Sequence, residues 1–166
     1  KVPLRMALEL SGLVGDLPNV LTGKKVTPKL MKLRQVYWSA FAYSFFKQVS
    51  QNFSKKSKGN ADKQGERWKP LSKKTKAYRP RKTRNKGRTG RLKNSLKPGN
   101  YTGENYIPFN DDQFFDFKKG RMTLGSKVPY AGEVEETRSL YGDSETVIAN
   151  AIEFATKELA KAMRGL

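Results

Sequence analysis

Residues 54–97 carry more charge than a packed interior can hold, and this limits every fold open to the chain. The window has eighteen Lys and Arg against Asp62 and Glu66, a net +16 of the chain's +19. Buried charges need partners, and here the partners are missing, so the window belongs on a surface. Pro70 and Pro80 break helices, and Gly59, Gly65, Gly87 and Gly90 interrupt the rest. Residues 55–91 are therefore expected to form a long basic loop, with a brief helix around 72–78. Loops of this length inside a domain usually have a function or lack fixed structure. The plain alternative is a solvated loop with no ligand.

The flanks supply the core. Thr27-Pro28 is a helix start, with Thr as N-cap and Pro at the first helical position. Leu33, Tyr37, Phe41, Phe45, Val49 and Phe53 then recur at spacing four, which predicts a long amphipathic helix. Trp38, Ala42 and Phe46 widen its apolar stripe, enough to suggest a subunit contact on a second face. Lys55, Lys56 and Lys58 suit the negative end of that helix, and Gly59 can end it. Residues 1–26 are read as an N-terminal arm with a short helix over 4–14, and residues 27–166 as one domain.

Past the loop, Leu92–Leu96 is expected to open a sheet. Residues 98–112, rich in Pro, Gly, Asn and Asp, form an irregular insertion. Gln113–Lys118 and Arg121–Gly125 make a hairpin, with Phe115 and Phe117 on one face and Met122 and Leu124 opposite. A second amphipathic helix starts at Ser144 and carries Ile148, Ile152, Ala155 and Leu159. The expected class is α+β: two helices packed on a small antiparallel sheet.

Catalysis has little to build on. The chain contains no His and no Cys, so the commonest general base and metal ligand and all thiol chemistry are absent. The acidic groups Asp111, Asp112, Asp116, Glu133, Glu135 and Glu136 lack a recurring ligand spacing, and the glycines do not form a phosphate-binding loop. We expect no enzyme and no cofactor. The most apolar run, 38–46, falls far short of the ~20 residues of a membrane span. Trp68, Tyr78 and Tyr101 interleave with the cations, which suits phosphate contact plus base stacking, though no nucleic-acid motif is present.

Three blocks recur in a known order. Gly65-Glu-Arg-Trp68-Lys-Pro70-Leu71 runs on to Thr75. Thr89-Gly90-Arg91-Leu92 follows and runs on to Ser95. Leu124-Gly125-Ser126 is followed by Tyr130-Ala131. Together they resemble the tailed-bacteriophage virion-morphogenesis family of neck, tail-completion and minor tail proteins. After Ala131 the chain departs from the family pattern, with Gly132-Glu133-Val134-Glu135-Glu136.

The resemblance implies a structural subunit of the virion, present in the host cytoplasm during assembly. It further implies a homo-oligomeric ring, of which a hexamer is one form, joined to neck, adaptor or tail proteins around the DNA path. The partner ring or DNA would meet Arg67, Lys69, Lys73, Lys74, Arg79, Arg81, Lys82, Arg84, Lys86, Arg88 and Arg91, with non-specific contact to packaged DNA. Trp68, Pro70, Leu71, Gly90, Leu92, Gly125 and Tyr130 would be structural anchors. The rival expectation is a basic nucleic-acid-binding protein unrelated to virions.

Overall fold

The computed structural model describes residues 6–9, 28–57, 68, 88–118, 121–132 and 144–165. Helix α1, Pro28–Ser57, is the centre of the molecule. It begins at the proline, whose missing N–H costs nothing at a helix start. Every residue from Val36 to Ala42 is buried, and so are Phe45, Phe46, Val49 and Phe53. A helix apolar on so many sides needs cover on more than one face.

Two layers provide that cover. Helix α3, Ser144–Arg164, lies along one side. Its inner row is Val147, Ala151 and Ala155, all buried at spacing four. The two small alanines let the helices approach closely. Gln48 fixes the pairing, because its Nε2 donates to the Val147 carbonyl at 3.2 Å and its Oε1 accepts from Asn150 at 3.0 Å. Thr156 hydrogen-bonds Tyr37 further along, so the helices run antiparallel. The face of α3 lies one residue from the expected stripe: Ile148 and Ile152 are only partly buried, and Met163 is 58% exposed.

The second layer is a three-stranded antiparallel sheet of β1 (Met6–Glu9), β4 (Gln113–Lys118) and β5 (Arg121–Ser126), with β5 in the middle. The expected hairpin is present, and Phe115 pairs with Leu124 and Phe117 with Met122. Trp38 stacks on Phe117 with ring centroids 5.4 Å apart. Phe46 stacks on Tyr106 at 6.0 Å. The second aromatic face of α1 is thus buried within this chain, which removes the expected reason for a subunit contact there.

Two local expectations are corrected. Met6–Glu9 do not extend a helix over 4–14; they form β1, paired with Thr123–Ser126. Leu92–Leu96 do not open the sheet, because Arg88–Ser95 form helix α2. Leu92 and Leu96 are four apart, which fits either period, but Ser95 is buried as well. A buried set at i, i+3 and i+4 is helical.

The 98–112 insertion contains a two-stranded ribbon, β2 (Asn100–Tyr101) and β3 (Tyr106–Ile107). Gly103, with φ of +90°, makes its turn. A Cβ on Gly99 would stand 1.9 Å from the Ile107 carbonyl oxygen, so only glycine fits there. The α+β arrangement expected from the sequence is the one observed. Most of the basic loop lies outside the described residues.

Candidate functional site

A buried polar joint ties α2, β4 and β5 together. Ser95 Oγ donates to the Leu92 carbonyl at 2.7 Å. Its only hydroxyl proton is then used, so the Ser126 hydroxyl, 2.6 Å away, donates to Ser95. Ser126 in turn accepts from the Val128 N–H at 3.2 Å. A relay of three hydrogen bonds therefore ties the Thr89–Leu96 block to the Leu124–Ser126 block.

Gln113, 1% exposed, completes the joint. Its Nε2 donates to the carbonyls of Ser95 and Lys97 at 2.9 and 2.8 Å. Its Oε1 accepts from the Tyr106 hydroxyl and from the Phe109 N–H. Burial pushes the Tyr106 phenol well above its ordinary pKa, so it stays protonated and able to donate. All four hydrogen-bonding positions of the amide are used. Such an arrangement fixes a backbone and leaves no group free for chemistry.

Above the joint lies a charged corner. Arg91 grips Asp112 side-on, Nε to Oδ2 at 2.7 Å and Nη2 to Oδ1 at 2.5 Å. The hydrogen bond from Arg91 holds the Asp112 carboxyl below its usual range. Lys127 adds to this effect, and Tyr130 lies close enough to act on Arg91. Arg91 is exposed but already engaged by a carboxylate. Among the described residues no three His, Cys, Asp or Glu side chains cluster as metal ligands would. Glu133, Glu135 and Glu136 lie outside those residues. No described helix is long and apolar enough to cross a membrane.

Of the anchor residues, Trp68 meets the Phe53 ring edge-on, with centroids 5.0 Å apart and planes at 88°. It is half-buried against the core at the C-terminal end of α1. Leu92 is buried in the joint, and Gly125 is buried opposite Phe114. Gly90 sits inside α2. Tyr130 is half-buried in the turn closed by the Ala131 N–H on the Val128 carbonyl at 3.0 Å.

Arg67, Lys69, Lys73, Lys74, Arg79, Arg81, Lys82, Arg84 and Lys86, with Pro70 and Leu71, lie outside the described residues. Arg88 is described only as the first residue of α2. The sequence reading missed Gln113. A polar residue at the first position of a strand, just after a turn-rich stretch, was its only signal. Comparison of the chain with family models, with curated proteins and with solved structures finds no match.

Proposed function

We propose that the chain is a non-enzymatic structural subunit of a phage neck or tail. It would assemble as a ring around the DNA path, its basic segment turned toward an acidic partner ring or the DNA. The reading starts from the three sequence blocks. The observation that carries it is what those blocks do in the fold. Ser95 of the second block hydrogen-bonds Ser126 of the third, Leu92, Leu96 and Leu124 are buried beside them, and Trp68 of the first block packs on Phe53. Residues that hold a backbone in place on either side of a strongly cationic stretch of sequence suit a subunit that positions a docking arm. The Ser95 and Ser126 hydroxyls are committed to that joint.

Loss of the chain should leave filled heads and separate or unfinished tails. Normal yields of infectious particles without it would overturn the reading. The charge of the 54–97 window also supports nucleic-acid binding outside any virion. Under that reading, particles made without the chain would be complete.

A further inference from the structure

Among the described residues the three-stranded sheet ends in two free edges. Strand β5 has a neighbour on each side, whereas β4 and β1 have β5 alone. Beside β4 lies a cavity of about 400 Å³, lined by α1, the β2–β3 ribbon and β4, and by no residue of β5 or β1. Trp38, Tyr106, Phe115 and Phe117 give it aromatic walls, and Met31, which also lines it, is 60% exposed. Two links hold the ribbon turn to α1: Lys32 pairs with Glu104 at 2.8 Å, and Gln35 donates to Asn105.

Strand β4 lacks the usual protection of an edge. Natural edges are blunted by lysines, prolines or bulges, because their open N–H and C=O groups recruit other strands. Gln113–Lys118 holds three phenylalanines and no proline, and its one lysine is the last residue. It pairs with β5 residue for residue, without a bulge. Phe114, Phe115 and Phe117 are all only partly buried. Phe114 stands on one face of the sheet and Phe115 and Phe117 on the other. One further strand against β4 would cover all three.

We propose that this strand is β1 of a second copy, so that β4 of one subunit and β1 of the next join their sheets. The proposal rests on the ring reading above and names the contact that builds the ring. A head-to-tail ring needs two unlike surfaces on one chain that fit each other. The two free edges of the sheet are such a pair. Strands β1 and β4 both run antiparallel to β5, hence parallel to each other. A rotation about an axis along the strands therefore brings β1 of the next copy beside β4 as a parallel pair. The faces match as well. Leu8 and Phe115 both stand opposite Leu124, and Met6 and Gln113 opposite Ser126. A continued sheet sets positions 6 and 8 on the face that carries Phe115 and Phe117, which is the cavity side. Backbone hydrogen bonds would hold the strand, and its alternate apolar positions would meet the aromatic walls. Both edges lie outside the 54–97 window, in the part of the chain nearly balanced at +3, so the contact brings few like charges together.

The chain has no cysteine, so engineered pairs report the contact without background. Asp116 on β4 and Glu9 on β1 both stand opposite Thr123, one on each side of β5. Within one chain two strand spacings, about 9–10 Å, separate them. That is beyond the reach of a disulfide, about 7 Å between Cα atoms. A bridge from β1 to β4 therefore forms only between copies. The full chain carries Asp116→Cys together with Ala7→Cys or with Glu9→Cys, which samples two registers, and is treated with oxidised glutathione. One of the two pairs should give a ladder of dimers, trimers and higher multimers on a non-reducing gel. Each single variant should give dimers at most. Melting temperatures of the reduced variants close to wild type report that the fold is intact. An oligomer seen by light scattering with no ladder from either pair would overturn the contact and leave the ring reading standing. A chain that stays monomeric when concentrated and gives no ladder would overturn the contact as well; the ring reading falls with it only if particles also hold a single copy. Dimers formed as readily by Asp116→Cys alone would assign β4 to a second β4, against the proposal.

Discussion

Gln113 shows how much one side chain can hold in this fold. Its amide meets two carbonyls, one hydroxyl and one backbone N–H, all at the point where α2, the ribbon and β4 meet. Gln113→Ala should cost about 3 kcal/mol, since several buried polar groups lose their partner at once. Urea unfolding gives the value, and a cost below about 1 kcal/mol would mean that water replaces the amide. Asp112 offers a weaker, pH-dependent hold. Its carboxyl is depressed in the folded state by the Arg91 hydrogen bond. The linkage therefore stabilises the fold above the ordinary carboxylate range and fades as pH falls through the depressed value. Both groups are solvated, so the effect is small. Asp112→Asn should flatten the acid side of a plot of urea midpoint against pH and leave neutral stability nearly unchanged.

At the scale of elements, long periodic segments were legible and short ones were not. Helix α1 could be read from six apolar residues at spacing four together with Pro28, and the hairpin from Phe115 and Phe117 set against Met122 and Leu124. α2 was misread because five residues with two leucines four apart fit both periods, and only the burial of Ser95 separates them. β1 was misread because its partner strand is more than a hundred residues away, a pairing that local pattern does not carry.

Gly99→Ala should break the ribbon, since the new Cβ meets the Ile107 carbonyl oxygen, a backbone atom that cannot swing away. The expected outcome is a loss of about 2 kcal/mol or more, with the amide signals of residues 100–107 displaced. Trp68→Ala should cost about 2–4 kcal/mol, somewhat less than a fully buried aromatic, and lower the melting temperature. An unchanged melting temperature would deny Trp68 its anchoring role.

For the whole molecule, the division of charge is the dominant fact. The window 54–97 carries a net +16, and the rest of the chain is nearly balanced at +3. Neutralising Arg79, Arg81, Lys82 and Arg84 together should leave the thermal transition in place while weakening attachment to DNA or an acidic ring. That attachment should also fall steeply with salt, because exposed charges are screened beyond ~8–10 Å at physiological ionic strength. A chain that forms a ring in the virion must be present there in a fixed multiple, since closed head-to-tail contacts set the copy number. Quantitative mass spectrometry of purified particles measures it directly. A ring subunit predicts several copies per particle, the same number in every preparation; a single copy, or none, contradicts it.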